Sequence, residues 1–486
     1  MEYNSQKNKN KIASGLAWTY AERITAQGVS LLVTILLARL IAPKDFGAIA
    51  IITIFINVAN TLATEGFGTA LIQKKNVDEI DFSSVFYFNL LFSLFLYLLI
   101  YIFSPYIASF YDLPILTPTL RIMALRILLA GVNSVQHAYI SRNMQFKKFF
   151  ISTSFGTVIS AVVGIAMAYK GYGIWALVAQ YLTNALIDTV ILFLTSGLRI
   201  KLIFSWSRML VLLKFGWKLV MSALMISFYS NFRDLVIGKR YSSIDLAFSN
   251  KGNQFPSFIS VNINTSITKV LFPALSSCQD DLVNLKHMTR RSISIGTYIL
   301  SPMLIGLAAI AEHFVEIVLT VKWLPCVPYL RIYCIIFLLQ PIQTASLQAM
   351  KAMGKSDLYL KLEVIKKVIG LIILCASIFM FEGVIYIVWG ALIAEIFSAL
   401  VNIPANKKLL GYTYREQMAD VLPSITISII MGLIVKMLQN LFINVFAAVL
   451  FQIGIGIIIY IGISKLFKVQ EFRYLKNKFV NIFKLH

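Results

Sequence analysis

Charged side chains lie inside long apolar segments of this sequence, where they are costly. A charge at the centre of a membrane-spanning helix costs about 2.5–3.5 kcal/mol, so it usually faces a cavity or a partner side chain. Cations predominate at these positions, and a cavity that they line can replace the hydration of a strongly anionic ligand. The candidate cavity cations are Arg23, Arg126, Lys218, Arg233, Lys251 and Lys269.

Uncharged polar residues are concentrated in the stretch SNKGNQFP, residues 249–256, which apolar residues flank on both sides. These side chains cover more than half the circumference of a helix, so some of them must face water. Gly252 allows close approach of a neighbouring backbone and Pro256 frees backbone groups, which indicates a bend. A water-filled cavity satisfies all of these features. The candidate polar lining residues are Gln27, Tyr229, Asn250, Asn253 and Gln254.

Acidic residues within the apolar segments are candidates for binding a coupling ion, either a proton or sodium. The three candidates are Glu22, Glu65 and Asp234. Each has a structural alternative of equal weight, because a buried carboxylate also pairs with a neighbouring cation. Asp188 and Glu395 fall in equivalent predicted helices, which favours inherited helix packing over chemistry for those two.

Catalytic and metal-binding motifs are missing from the sequence. It contains no Walker A loop and no nucleophile–His–acid set, and its four cysteines lack the spacing of metal ligands. We therefore expect a protein that is not an enzyme and that needs no metal or cofactor beyond the coupling ion.

The composition identifies the solvent around most of the chain. Of the 486 residues, 58% are hydrophobic and 14% are charged, with a mean hydropathy of +0.77. A soluble domain has about 45–50% apolar and about 25% charged residues. Apolar stretches long enough to cross about 30 Å of hydrocarbon recur along the chain. We predict an all-α polytopic membrane protein with about fourteen transmembrane helices, roughly 13–41, 46–72, 82–109, 116–141, 148–169, 173–196, 209–237, 244–275, 290–313, 325–350, 359–381, 384–405, 421–439 and 442–464.

Loops rich and poor in lysine and arginine alternate along these segments. The positive-inside rule then places both termini in the cytoplasm. The net charge of +22 is thereby explained by topology, and no nucleic-acid partner is expected. The basic C-terminal tail is interpreted as a topology determinant, with binding of anionic lipid as the alternative.

Two pairs of similar stretches indicate an internal duplication. ARLIAPKDFGA (38–48) aligns with GKRYSSIDLAF (238–248), and GIWALVAQYL (173–182) aligns with GVIYIVWGAL (383–392). Each copy is predicted to contain six helices. Because six is an even number, the two copies have the same orientation in the membrane, and a substrate site is expected at the interface between them. The predicted organisation is two pseudo-symmetric six-helix lobes, followed by two C-terminal helices and a basic tail. The boundaries are 1–200, 201–415 and 416–486.

Some of these stretches also resemble a known family. The segments SGLAWTYAERITAQGVSLLVTILLARLIAPKDFGAIAI, NFRDLVIGKRYSSIDLAFSNKGNQFPSFI and VLFPALSS are similar to Wzx-type polysaccharide flippases of the multidrug/oligosaccharidyl-lipid/polysaccharide exporter superfamily. The resemblance covers essentially the whole chain. It implies alternating access and export of undecaprenyl-diphosphate-linked oligosaccharide across the bacterial cytoplasmic membrane. It further implies that Arg23 binds substrate and that the last two helices form a lipid groove.

Alternatives from three classes remain open at this stage. A multidrug or cation exporter of the same superfamily requires an acidic cavity, whereas the mid-helix charges here are mainly cations. A membrane glycosyltransferase, polymerase or ligase usually has a large extracytoplasmic loop, and no loop here exceeds about 15 residues. A scaffold leaves the buried charges unexplained. We expect a monomeric transport unit whose partners are lipid-linked oligosaccharide, membrane lipids and a polysaccharide polymerase.

Overall fold

The computed structural model of the chain describes residues 2–64, 67–74, 77–279, 281–440 and 444–484. These residues are helical almost throughout, and none of them forms a strand. The α-helices are α1 (Glu2–Leu40), α2 (Pro43–Thr64), α3 (Phe67–Gln73), α4 (Glu79–Phe110), α5 (Leu116–Met123), α6 (Leu125–Arg142), α7 (Lys147–Tyr169), α8 (Ile174–Ser196), α9 (Trp206–Arg240), α10 (Ser243–Ser276), α11 (Leu282–Ala309), α12 (Ala311–Leu319), α13 (Val327–Leu338), α14 (Gln340–Ala352), α15 (Ser356–Met380), α16 (Val384–Leu410), α17 (Tyr414–Met437), α18 (Val445–Leu466) and α19 (Gln470–Lys484). Two short 3-10 helices, Val321–Cys326 and Leu438–Asn440, complete the described elements.

Eleven segments within the described residues are long and apolar enough to cross a membrane. A twelfth is added if the bent pair Trp206–Lys214 and Gly216–Arg240, which meet at 49°, is one span. The prediction of an all-α polytopic membrane protein is thereby confirmed, whereas the count of fourteen stays a prediction.

The two remaining predicted segments, 244–275 and 359–381, are helical as α10 and α15. These two helices are not among the segments that are apolar enough to cross a membrane, and the reasons differ. α10 contains many amide and hydroxyl side chains, and every 18-residue stretch of α15 contains at least three charged residues.

Contacts divide the chain into two compact units, residues 1–247 and 248–486. The first unit contains α1 to α9. Its last helix, α9, packs on α2 and α4, and it is joined to the α4 end by Tyr111, whose hydroxyl donates to the carbonyl oxygen of Leu235 at 3.4 Å. The second unit contains most of α10 and all of α11 to α19. The predicted lobe boundaries concern the duplication and stay a prediction.

α6 is the central helix of the first unit and packs against α2, α4 and α8. Its approach to α4 depends on Gly131, because a Cβ atom there would lie 2.1 Å from Ser93 Oγ. Asn89 Nδ2 on α4 donates to Ser134 Oγ on α6 at 2.7 Å, which ties the two helices together. α6 is therefore fixed on one side, and its other side faces α8.

α8 is set beside α6 by a tight turn from α7. The turn contains Gly171 and Gly173, whose φ angles are 79° and 52°, in the left-handed region that favours glycine. Along the α7–α8 contact, a Cβ atom at Gly164 would lie 3.0 Å from Gln180 Cβ, so small residues bring these helices close.

Candidate functional site

A polar cavity of about 440 Å³ lies within the first unit, between α2, α3, α6 and α8. Its size falls within the range of about 300–1,000 Å³ that is typical of small-molecule sites. Three asparagines, several hydroxyl groups, one arginine, one histidine and one aspartate line it. Its polar lining includes Asn60, Arg126, Asn133, His137, Asn184 and Asp188.

The carboxylate of Asp188 is held in place by groups on α6. Asn133 Nδ2 donates to Asp188 Oδ2 at 2.8 Å, and His137 Nε2 lies 3.9 Å from the same oxygen. The imidazole of His137 is stacked on the ring of Phe149, with 4.6 Å between centroids. α6 and α8 are thus linked through polar side chains at the edge of the cavity.

Two amide oxygens in the lining have no hydrogen-bond partner within the described structure. They are Oδ1 of Asn60 and Oδ1 of Asn133. A buried polar atom without a partner is costly, and such atoms usually have a bound water or ligand to satisfy them.

Arg126 is the cation of this cavity. Its guanidinium carbon lies 5.5 Å from the ring centroid of Tyr181 on α8. Arg121, only five residues earlier, has different surroundings: it lies 4.2 Å from the ring centroid of Tyr101 and donates to Ser104 Oγ at 3.0 Å, both on α4. Arg126 can therefore meet an anionic ligand in the cavity, while Arg121 joins α5 to α4.

Glu22, a predicted ion-coupling residue, lies on α1 next to the same group of helices. Thr153 Oγ1 on α7 donates to Glu22 Oε1 at 3.2 Å, and the carboxylate interacts electrostatically with His137 and Asp188. Arg23 and Gln27 are half-buried on α1 and are not part of the described cavity lining.

The polar stretch at the start of α10 packs largely inside the second unit. Lys251 is only 5% exposed, and its Nζ lies 3.1 Å from Gln254 Oε1 and 5.6 Å from the ring centroid of Trp323. Gly252 allows close contact with α13, because a Cβ atom there would lie 2.7 Å from Tyr329 Cβ. Ser249 Oγ lies 3.3 Å from the hydroxyl of Tyr333. One face of the stretch thus serves helix packing.

The other predicted site residues are dispersed. Asn250 and Asn253 are half-buried on α10, as is Tyr229 on α9, while Lys218 and Lys269 are exposed. Arg233 Nε lies 3.6 Å from Asp234 Oδ1, both half-buried on α9. Glu65 lies outside the described residues. Of the predicted residues that the structure describes, Arg126 is the one that lines the polar cavity.

Sequence reasoning missed most of the cavity. Asn133 and His137 are four residues apart on α6, and Asn184 and Asp188 are four residues apart on α8. Residues at this spacing share one face of a helix. Arg126 lies seven residues before Asn133, so it falls on the same face of α6. This periodic polar pattern on the two helices is the sequence feature that indicates the site.

The second unit contains a related arrangement between α14 and α16. Gln343 Nε2 donates to Glu395 Oε1 at 2.5 Å, and Ser398 Oγ donates to Gln343 Oε1 at 2.9 Å.

In the part of the chain that the structure describes, no three His, Cys, Asp or Glu side chains are placed to hold a metal ion.

Comparisons with known proteins give consistent matches. A family model described as polysaccharide biosynthesis protein matches residues 36–328. The succinoglycan biosynthesis transport protein ExoT of Rhizobium meliloti (strain 1021) is 26% identical over 319 residues, which cover 65% of this chain and 64% of that relative. The chain therefore spans slightly less than two thirds of ExoT. The lipopolysaccharide biosynthesis protein WzxC of Escherichia coli (strain K12) is 24% identical over 444 residues, which cover 88% of this chain and 89% of WzxC.

The fold is also similar to a solved structure of the lipid II flippase MurJ in an inward closed conformation. The TM-score is 0.75 at 17% identity, over 93% of this chain and 98% of that chain. These matches confirm the predicted family resemblance, and the matched proteins are named as a transport protein and a flippase rather than as enzymes.

Proposed function

Because the chain belongs to the polysaccharide biosynthesis protein family and is a multi-pass membrane protein, we propose that it is a flippase for a lipid-linked oligosaccharide. It moves undecaprenyl-diphosphate-linked repeat units from the cytoplasmic to the outer leaflet by alternating access, for export of a cell-surface polysaccharide. In this proposal both termini are cytoplasmic, the protein lies in the bacterial cytoplasmic membrane, and a polysaccharide polymerase uses the exported units.

The observation that carries this proposal is the polar cavity of the first unit. The amide oxygens of Asn60 and Asn133 lack partners within the described structure, and they can accept hydrogen bonds from sugar hydroxyl groups. Arg126 adds a permanent positive charge with five N–H donors, which suits a phosphate group. Asp188 can accept from further hydroxyl groups on the side that Asn133 and His137 leave open.

Coupling to a proton or sodium gradient is part of the proposal. Of the two described candidates, Glu22 and Asp234, we favour Glu22 as the carrier, because its carboxylate interacts electrostatically with His137 and Asp188 beside the cavity. Loading of an ion on Glu22 would change the electrostatic field in which Arg126 meets the substrate.

The test compares two arginines of one predicted span. Arg126→Gln is expected to lower export about 10- to 100-fold, the usual value of one hydrogen bond to a charged group, with accumulation of cytoplasmic-side lipid-linked oligosaccharide. Arg121→Gln is the matched control, because it removes the same charge five residues away, outside the cavity lining, and export should stay within about twofold of wild type. Both variants are expressed in cells that lack the native protein, and protein levels are measured alongside surface polysaccharide.

Two outcomes contradict the proposal. Normal export by a well-expressed Arg126→Gln protein removes the cavity from the substrate path. Normal surface polysaccharide in cells that lack the protein, together with sensitivity to organic cations, assigns a multidrug exporter instead.

A further inference from the structure

The last helix of the described chain, α19, begins directly after the last apolar span. Three residues connect α18 to α19, and even fully extended they reach no more than about 14 Å. The actual turn is tighter. The amide N–H of Val469 donates to the carbonyl oxygen of Ser464 at 3.0 Å, and that of Lys468, a left-handed residue with φ 54°, donates to Lys465 at 3.2 Å. Since the headgroup layer is about 5–8 Å thick on each side of the hydrocarbon, α19 starts at the membrane surface.

One side of α19 is anchored to the second unit. Phe472 and Leu475 pack against a buried cluster that includes Tyr298 and Tyr460. The ring of Tyr474 lies under the guanidinium group of Arg291 on α11, with 3.5 Å between the guanidinium carbon and the ring centroid. These contacts fix the orientation of the helix about its own axis.

The other side of α19 is basic. Arg473 and Lys476 are exposed, and Arg291 and His287 are exposed nearby on α11. Arg291, His287 and Tyr474 border a depression of about 570 Å³ between α11, α17 and α19, whose lining also contains Glu471 and Asp420. The rest of the helix, KFVNIFK, continues the mixture of basic and apolar residue types.

Neighbouring cations in this region are already neutralised. Lys286 Nζ lies 2.8 Å from Glu416 Oε1, and Arg290 Nη2 lies 2.7 Å from Asp420 Oδ1. Arg473 and Lys476 are different, because within the described structure neither of them forms an ion pair with an acidic side chain. A basic helix held at the headgroup level is complementary to anionic lipid.

We propose that α19 is an interfacial helix that docks the second unit onto an anionic lipid surface through Arg473, Lys476 and the exposed Arg291 of α11. The ligand is a bilayer surface that contains anionic phospholipid, rather than a soluble phosphate compound. The inference goes beyond the proposed transport function and does not depend on which substrate is carried. It assigns a lipid-binding role to the basic tail, in addition to the role in setting membrane orientation that the charge pattern of the loops predicts.

The test measures amide hydrogen exchange of α19 in the full-length protein, purified and placed in nanodiscs. One set of nanodiscs contains only phosphatidylcholine, and the other contains phosphatidylglycerol as well. The variants are Arg473→Gln/Lys476→Gln and, as a matched control, Lys407→Gln/Lys408→Gln, which removes two exposed cations at the end of α16. Exchange of α11 and α16 in the same samples reports whether each protein is folded.

The expected result is slower exchange of α19 in anionic nanodiscs for wild type and for the control. Each cation near an anionic surface strengthens binding to that surface about fivefold. In the Arg473→Gln/Lys476→Gln variant, the protection of α19 that anionic lipid provides should therefore fall about 25-fold, while α11 and α16 remain protected. Because nanodiscs expose both faces, the result is independent of the orientation of the termini, and failure of the transport proposal would leave it unchanged.

Two results overturn the inference. Equal exchange of wild-type α19 in both lipid compositions means that contacts with α11 and α18 alone hold the helix. Slow exchange in phosphatidylcholine nanodiscs on addition of millimolar glycerol phosphate assigns the basic surface to a small soluble anion.

Discussion

Each of the two compact units contains a hydrogen bond between an amide side chain and a carboxylate, but the two amides differ in whether their oxygen also has a hydrogen-bond partner. Asn133 on α6 binds Asp188 on α8 in the first unit, and Gln343 on α14 binds Glu395 on α16 in the second. The helices occupy corresponding places in the predicted duplication. The amide oxygen of Asn133 has no partner in the described structure, whereas that of Gln343 accepts a hydrogen bond from Ser398.

This difference indicates how two units of one chain can divide their tasks. A fully satisfied buried pair makes a helix contact rigid, while a half-satisfied pair beside a cavity leaves an acceptor for a ligand. In the second unit the pair is a structural link. In the first unit the pair lies at the edge of a cavity that Arg126 and His137 also line.

The largest expected effect comes from removing the amide in each unit. Gln343→Leu leaves the half-buried carboxylate of Glu395 without its donor, which should lower the free energy of unfolding by about 2–3 kcal/mol. Asn133→Leu should cost clearly less, because Asp188 borders the cavity and can be hydrated, but it should reduce export. Denaturant unfolding of the purified proteins and an export assay measure the two quantities. Equal loss of stability in both variants would remove the distinction between the units.

Two glycines test how tightly each unit is packed. An alanine Cβ at Gly131 would lie 2.1 Å from Ser93 Oγ and 3.1 Å from the carbonyl oxygen of Asn89. At Gly390 it would lie 2.1 Å from Ser377 Oγ, and the nearest atom of any other residue is 3.6 Å away.

Gly131→Ala should therefore destabilise by about 1–3 kcal/mol, and more than Gly390→Ala. Adding Ser377→Ala should restore more of the stability of Gly390→Ala than adding Ser93→Ala restores for Gly131→Ala, since at Gly131 the contact with the backbone oxygen of Asn89 remains as well as the one with the Cβ atom of residue 93. Thermal unfolding of the four proteins provides the comparison, and full rescue in both units would contradict it.

Neutralising each carboxylate with its isosteric amide should affect only one unit. Asp188→Asn removes the charge that interacts with His137 and Glu22, and export should fall about tenfold, the lower end of what a charged hydrogen bond contributes. Glu395→Gln keeps a side chain that can still accept from Gln343, so export should stay within about twofold of wild type. Initial rates of export at matched protein levels distinguish the two. A larger loss in Glu395→Gln would place the functional carboxylate in the second unit.

The smallest effect concerns the ion pair at the start of α4. Arg208 donates a hydrogen bond to Asp78, and this bond holds the pKa of the Asp78 carboxyl below its usual value. A lowered pKa in the folded state means that stability is present above the unfolded pKa and is lost as the pH falls through the folded pKa. Thermal unfolding should show a small additional acid destabilisation below about pH 4. Asp78→Asn should reduce that acid dependence, and an unchanged pH profile would show that this exposed pair contributes nothing.

The helices could be predicted from the sequence because their signal is local. Each of the fourteen predicted segments coincides with a helix or a pair of helices, since about 20 apolar residues leave the backbone no other way to satisfy its hydrogen bonds in a membrane. α10 was found in the same way, although its apolar content is low.

The cavity was harder to predict because its contacts are distant in sequence. Asn133 and Asp188 are 55 residues apart, and nothing near either residue identifies the other. The density of polar residues around Lys251 favoured water as their neighbour. In the fold, Lys251 instead faces Gln254 and Trp323, which shows that polar groups in a membrane protein are also satisfied by the protein itself.

The charges of α15 have a consequence for how the chain is synthesised. Glu363, Lys366 and Lys367 would add up to about 8–10 kcal/mol to the insertion of this helix on its own. In the folded protein Lys366 Nζ lies 2.8 Å from Glu363 Oε1 within α15, and both Lys366 and Lys367 interact electrostatically with Glu395 on α16, along which α15 packs. Its entry into the bilayer therefore depends on the helix that follows it, and a nascent chain that ends before α16 should leave α15 outside the hydrocarbon.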